Sequence, residues 1–551
     1  MTGIFGQDYR INRIEESGQV MSDKNPVNPV ILFKLSPLPM KPIKMYMHDF
    51  AREQSWVSSY WQRVLPDLHD LGYTEFAFYV EQRYHFRTIP QHRPWLGITP
   101  RQGEEAARLC KKFGLKPYWF TNTFGHCDGL LANEAFRHLA EDIGEGEQLC
   151  PSHPETRPFL RTMLREFAEL NRPEMLFIGG DEARALNRCE RCRKRGLSNA
   201  ELFLDHMQWV IRETKRLGKR PAICGDMLLK HPEIISEIDR DAVIVDWHYD
   251  SGSEKSLQLF QKHGFEILAM TSSNEYWRNF YPFDQNRNCI EPFMREARQH
   301  RCMGMSMTGW EMIRGANLDN HWERTAGAIA AFEGDSLKNF SRKFCKNFFG
   351  SERCDQLRLK KYFDEKALAK LHPDFVSANF RRQFGKTESG FLFYHMFGKG
   401  SARLAFQKLA PRIKASRPIV RDIMRSAKRR KHYFEFFDLP LDLLDVMHER
   451  IETLNFIREA ANRLHPHRLP NAAGTRLLKE TLRKLWRHIE NCEKLAKRYD
   501  RLKERVGGSH IDPHRLRKQK GELRTLHGYI EYHAKTYAKG MAVPSREQWY
   551  V

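Results

Sequence analysis

The 551-residue chain has no apolar run of the roughly 18–20 residues that a membrane-spanning helix needs, so no such helix is expected. Its opening stretch, MTGIFGQDYRINRIEESGQVMSDKNPVNPV, lacks the apolar core of a secretory signal. Cysteine is sparse and odd in number, 11 in all, and most stand singly, as do Cys110, Cys224, Cys289 and Cys345. That usage argues against a disulfide framework and for a reducing compartment, which predicts a cytoplasmic protein. The 24 histidines show no His-Glu-x-x-His or comparable ligand spacing, so neither a catalytic metal nor a cofactor is expected. Acid is scarce in one half only: residues 351–551 hold about 44 Lys+Arg against 23 Asp+Glu, which accounts for nearly all of the net charge of +22. The first 350 residues are close to neutral, so the halves need separate treatment.

What is present is a soluble composition, 41% hydrophobic and 29% charged, on a chain long enough for two or three domains. From residue 43 to 310, short apolar or β-branched runs recur eight times: IKMYMHD, TEFAFYV, KPYWFT, EMLFIGG, RPAICGDM, AVIVDWH, FEILAM and MGMSMTGW. Between them lie amphipathic stretches with glycine stops at Gly72, Gly114 and Gly218. Such alternation predicts a parallel sheet, and eight strands in about 290 residues fit a (β/α)8 TIM barrel. A doubly wound open sheet is the alternative, but no glycine-rich nucleotide loop follows the first strand. Beyond about residue 340 the strand signal stops and helix-period apolar positions take over, as at Leu477, Leu478, Leu482, Leu485 and Trp486. The expected organisation is an α/β chain with a lead-in at 1–40, a barrel at 41–337 and a basic α-helical domain at 338–551.

A barrel of this kind carries its active site at the C-terminal ends of the strands. There the sequence puts His48-Asp49, Glu81, Gly125-His126, Asp181-Glu182, Asp226, Trp247-His248-Tyr249-Asp250, Tyr276-Trp277 and Trp310-Glu311. Any one of these alone is most simply a solvated loop residue or a core aromatic. Together, tryptophan faces beside carboxylates suit a sugar ring, whose C–H face stacks on indole while its hydroxyls seek acceptors. Gly-Gly-Asp-Glu also spells part of a cyclic-dinucleotide signature, but Ala183 follows it and a buried-type strand precedes it. Two adjacent acids after a parallel strand can instead share one site. Glu182, partly buried among aromatics, would protonate a leaving group while Asp181 stays ionised.

FIGGDE at the end of the fourth run resembles the catalytic signature of glycoside hydrolase family 20, the β-N-acetylhexosaminidases, and in particular its hexosaminidase D-like branch and bacterial relatives. LGYTEFAFYVEQRYHF, TNTFGH, CPSHPET, GDMLLKHPE, VIVDWHYD and MTGWE extend the resemblance, in order, over roughly residues 40–335. It implies a retaining exo-β-N-acetylhexosaminidase that removes terminal β-linked GlcNAc or GalNAc, with the substrate's own acetamido group as nucleophile. It makes Glu182 the general acid/base and Asp181 the carboxylate that positions and polarises the acetamido group. His126 would support the acid, Trp247 and Trp310 would wall the pocket, and Tyr249 or Tyr276 would hydrogen-bond the acetamido oxygen. Asp226, Glu311 and Lys44 complete the expected sugar contacts. Lys44 stands where better-known members carry Arg, Asn122 stands where they carry Asp, and Glu311 follows its Trp directly rather than two residues on.

Cys189 and Cys192 form a Cys-x-x-Cys, with Cys150 upstream. The favoured interpretation is a loop packed by small sulfur side chains; a structural zinc held by these three and a histidine is the alternative. The basic half is read first as a solvated surface, next as a patch for an anionic glycan or other polyanion, and last as a nucleic-acid binder, for which no recognition motif is present. Two competing functions follow: a carbohydrate-binding protein on a decayed barrel, or a polyanion-binding protein acting through the helical half. Oligomeric state is not legible.

Overall fold

The computed structural model describes residues 42–51, 55–94, 97–170, 174–249, 252–273, 289–310, 321–363, 400–464, 470–507 and 511–539. Tyr276, Trp277, Asp250 and Glu311 lie outside the described residues.

Eight parallel strands close into a barrel in chain order: β1 Ile43–Asp49, β2 Glu75–Tyr79, β3 Lys116–Phe120, β4 Met175–Gly179, β5 Arg220–Cys224, β6 Val243–Trp247, β7 Glu266–Ser272 and β8 Gly304–Gly309. β8 returns to β1 with Gly304 opposite Ile43, and a Cβ there would lie 2.3 Å from the Ile43 carbonyl oxygen. Helices α1 Ser58–Asp70, α2 Pro100–Lys112, α3 Thr156–Leu170, α4 Asn199–Arg216, α5 Glu254–Lys262, α6 Glu291–Gln299 and α7 Trp322–Glu333 line the outside. Local chemistry sets their starts. Thr99 with Gln102 and Ser198 with Glu201 form capping boxes at α2 and α4, each satisfying two backbone N–H groups that would otherwise lack acceptors.

Both faces of every strand are buried, but they do different work. One alternation packs the barrel interior, with Met45, Met47, Ala77, Tyr79, Tyr118, Phe120, Phe177, Ala222, Cys224, Val245, Met270 and Trp310 in one cluster. The other packs against the helices, with Tyr46, Phe76, Phe78, Trp119, Ile178, Ile223, Ile244 and Met307.

After the barrel come α8 Phe340–Phe349, α9 Gly400–Ser426, α10 Leu439–Arg463, α11 Ala472–Val506 and α12 Ile511–Ala538. Together with the barrel they form one compact unit. Asp67 on α1 joins the two parts, accepting hydrogen bonds from Arg430 Nε and the Tyr433 hydroxyl, each at 2.7 Å. Trp322 of α7 packs on the Tyr433 ring with centroids 4.8 Å apart. Many of the basic side chains in these helices pair with acids: Arg417 bridges Asp442 and Asp445, Arg498 bridges Asp438 and Asp442, and Arg403 reaches Glu452 and Glu459. A groove of about 600 Å³ between them is lined by both signs, Arg403 and Arg487 facing Glu449 and Glu452. No helix among the described residues is long and apolar enough to cross a membrane.

Candidate active site

Continuing the interior alternation past the end of each strand generates the mouth of the barrel. It leads from Tyr79 to Glu81, from Phe120 to Asn122, from Gly179 to Asp181, from Cys224 to Asp226, from Val245 to Trp247 and Tyr249, and ends at Trp310. Glu182 belongs to the other alternation, and the backbone brings it back. Gly179, Gly180 and Glu182 have φ of +68°, +93° and +49°, so β4 ends in a turn that L-residues rarely adopt. The glycines are required twice over, since a Cβ on Gly179 would lie 2.1 Å from Asn122 Oδ1 and one on Gly180 2.7 Å from Met207 Cε. His126 also has positive φ, +51°, and Gly125 beside it lets its loop approach the Asp181 carbonyl, which a Cβ would meet at 2.4 Å.

These turns bring three sequence-predicted residues together. His126 Nε2 lies 3.1 Å from Glu182 Oε2 and 3.4 Å from Asp181 Oδ2. Asp226 Oδ2 accepts a hydrogen bond of 2.9 Å from the Glu182 backbone N–H, which fixes the turn. Burial, then the charge of Asp181, push the Asp226 carboxyl up to about 7, against the lowering effect of that hydrogen bond. Asp226 Oδ1 is buried without a hydrogen-bond partner among the described residues. Asp226 therefore supports the turn through its hydrogen bond to the Glu182 amide, on the wall of the acid cluster.

Aromatic rings form the opposite wall. Trp247 stacks on Tyr249 with centroids 5.1 Å apart and planes 22° from parallel, and Tyr249 meets Trp310 edge-on at 6.3 Å. Tyr79 closes the set against Trp310, 4.8 Å away at 88°.

The structure corrects the expectation for Lys44. It is the second residue of β1, at the N-terminal end of the barrel, and belongs to the outward alternation. Its ammonium pairs with Glu333 at the end of α7, and its backbone N–H donates to Thr74 Oγ1 and Glu75 Oε2 at the start of β2. His48 and His248 also face outward. His48 packs edge-on against Trp61 at 4.7 Å, and His248 Nε2 lies 3.0 Å from Ser256 Oγ and 3.1 Å from Asp246 Oδ1. Glu182 has two polar partners: Arg184 is ion-paired with Oε1, and His126 lies at Oε2.

Three contributors escaped the sequence. Arg184 lies two residues after Glu182, but its reach back to that carboxylate depends on the turn. Tyr79 accepts from Asn122 Nδ2 and donates to Glu81 Oε1, both at 3.0 Å, and so ties the ends of β2 and β3 together. Glu141, in the β3–α3 connection, lies among the three cysteines. The alternation of β2 carried a signal only for Tyr79.

Residues 130–322 match the family model described as glycosyl hydrolase family 20, catalytic domain. This segment is similar to the family 20 catalytic domain. The matched span runs from the β3–α3 connection to the start of α7 and contains the Asp181-Glu182 turn, Asp226, Trp247, Tyr249 and Trp310. The chain is 25% identical over 238 residues to "Hexosaminidase D" of Bos taurus, covering 39% of this chain and 68% of that protein. To "Hexosaminidase D" of Homo sapiens it is 24% identical over 282 residues, covering 46% of this chain and 57% of the human protein. A solved β-N-acetylhexosaminidase from Bacteroides fragilis superimposes with a TM-score of 0.46 at 16% identity, over 56% of this chain and 70% of that one.

Proposed function

We propose that the barrel is a retaining exo-β-N-acetylhexosaminidase acting on terminal β-linked GlcNAc or GalNAc through substrate-assisted catalysis. The observation that carries this proposal is the convergence of Asp181, Glu182 and His126 on one point, opposite a wall of Trp247, Tyr249 and Trp310. A sugar seated on the aromatic wall presents its glycosidic oxygen and its 2-acetamido group toward the acids. Glu182 delivers a proton to the glycosidic oxygen as the C–O bond breaks. The acetamido oxygen attacks the anomeric carbon on the face opposite the departing aglycone, and an oxazolinium forms. Asp181 takes the acetamido N–H and balances the positive charge that develops there. Glu182, now deprotonated, draws a proton from water, which opens the ring and restores both the sugar and the acid.

His126 touches both carboxylates and holds them in register, and Asp226 keeps the Glu182 amide in place from behind. The relatives named hexosaminidase D support the sugar class.

The test uses aryl β-glycosides with and without the N-acetyl group. Turnover of the N-acetylated substrates and inhibition by a thiazoline mimic of the oxazolinium are expected. Glu182→Gln and Asp181→Asn should each lower kcat by roughly 10²–10⁴-fold, the usual weight of one general acid or one charge-stabilising group. Near wild-type turnover in both variants sinks the assignment. Tight binding of the thiazoline with no aryl release from wild type supports the carbohydrate-binding alternative.

A further inference from the structure

Behind the acid pair, Glu141, Cys150, Cys189 and Cys192 bring one donor atom each within 4.8 Å of one another. Cys150 Sγ lies 3.4 Å from Cys189 Sγ and 3.7 Å from Cys192 Sγ. Glu141 Oε2 lies 3.2 Å from Cys189 Sγ and 3.0 Å from Cys192 Sγ. A tetrahedral zinc with Zn–S near 2.3 Å and Zn–O near 2.0 Å sets S···S at about 3.8 Å and S···O at about 3.5 Å. The four donors thus stand near the corners of a slightly contracted coordination tetrahedron, with these four separations along its edges. We infer that this cluster is a structural zinc site, with Cys150, Cys189, Cys192 and Glu141 as ligands.

Three further observations favour a cation over simple packing. Cys150, Cys192 and Glu141 are buried, and a carboxylate enclosed with three thiols is costly without a positive charge at its centre. The Cys189-x-x-Cys192 turn directs the Cys192 backbone N–H at Cys189 Sγ, 3.3 Å away, a donor that stabilises a thiolate. Glu141 Oε1 accepts from the backbone N–H groups of Arg188 and Cys189 at 2.8 and 2.9 Å, which leaves Oε2 facing the sulfurs. The fourth donor is thus a glutamate, where the alternative zinc site read from the sequence had a histidine. Three soft sulfurs in a set this compact select one zinc ion over magnesium or calcium. Binding releases three thiol protons to solvent, so the site is written Zn(Cys)₃(Glu) with a net charge of −2.

The site's place in the fold gives it a purpose. Glu141 and Cys150 flank the short antiparallel bridge Ala140–Leu149, and Leu149 N–H donates to Phe124 O, two residues before His126. Cys189 and Cys192 follow Asp181-Glu182. One ion would therefore clamp together the two loops that carry the acid cluster.

The experiment is metal analysis of the full chain, expressed with added zinc and purified under reducing conditions without chelator. One zinc per chain is expected in the wild type. A Cys189→Ser/Cys192→Ser double variant should lose it, and Cys302→Ser, a cysteine outside the cluster, should keep it. Should the double variant fail to fold, cobalt exchange into wild-type protein decides, with thiolate-to-cobalt charge-transfer bands and tetrahedral d–d bands expected. A zinc-free wild type that gives no such bands overturns the proposal. So does a Cys150–Cys189 disulfide in the protein as isolated. None of these readouts involves substrate, so the zinc site stands or falls separately from the glycosidase assignment.

Discussion

Asp226→Asn tests the electrostatics of the acid cluster directly. In the folded chain the Asp226 carboxyl is pushed up from 3.8 to about 7 by burial and by the neighbouring Asp181. Between pH 4 and 7 the native state therefore holds a proton that the unfolded chain has already released. Linkage makes stability fall as pH rises through that window and level off above 7. At about 1.4 kcal/mol per unit, the full penalty is about 4 kcal/mol. Asparagine is nearly isosteric, and its Oδ1 can still accept from the Glu182 N–H, but it has no proton to lose. Denaturant unfolding of both proteins at pH 4.5, 6 and 8 isolates the effect of Asp226 and its coupled neighbours, because titrating groups remote from it cancel in the difference. Asp226→Asn should gain stability on wild type by about 3 kcal/mol between pH 4.5 and 8. The same series in kcat has a counterpart: a second negative charge appears beside Asp181 above pH 7 in the wild type only, so the variant's alkaline limb should lie higher. A stability difference that stays flat across pH would mean that Asp226 ionises like an ordinary carboxyl and that its burial beside Asp181 has been misjudged.

The remaining expectations concern placement and support. Lys44→Ala should leave KM within about twofold and stability within about 1 kcal/mol, since the residue is in a partly exposed ion pair at the far end of the barrel; a tenfold rise in KM would return it to the sugar site. Gly179→Ala should destabilise by about 3 kcal/mol or more, as its Cβ would overlap Asn122 Oδ1 at a φ of +68°; adding Asn122→Ala should recover the steric part but not the backbone part, read by denaturant midpoints. His206 is held neutral, its value lowered to about 4 by burial, while its Nε2 pairs with Thr123 O at 2.9 Å in the loop that leads to His126. The unfolded chain takes up this proton first, so stability is lost as pH falls from about 6.5 toward 4, by about 3 kcal/mol in full; His206→Gln should flatten that slope, and an unchanged slope would remove His206 as its source.

The strands were legible almost to the residue. TEFAFYV was expected at 74–80 and β2 runs from Glu75 to Tyr79; AVIVDWH was expected at 242–248 and β6 runs from Val243 to Trp247. Short apolar runs between capped helices leave little room for error, and counting eight of them fixed the closure. What the strands withheld was which alternation faces inward. In a barrel surrounded by helices both faces are buried, so IKMYMHD offers Met45 and Met47 on one side and Tyr46 and His48 on the other with no polar contrast to separate them. Lys44 was misplaced for this reason. Its alignment with an arginine position gave a strand but neither the face nor the end.

The acid pair was legible for a different reason than the rest of the site. FIGGDE states its own backbone requirement, because two successive glycines before two acids demand a turn that no strand or helix supplies. That turn converts adjacent residues, which would diverge along a strand, into two carboxylates that share one imidazole. Arg184 and Glu141 could not be found in the same way. An arginine folding back two residues and a glutamate brought to cysteines about 50 positions away are products of loop closure, and loop closure leaves no period in the sequence. The same closure that hides Glu141 from a linear search places it and Cys150 on a bridge-supported turn, opposite the Cys-x-x-Cys that follows the acids. A connection with only short helical turns and one bridge therefore has the donors for a cross-link other than the sheet.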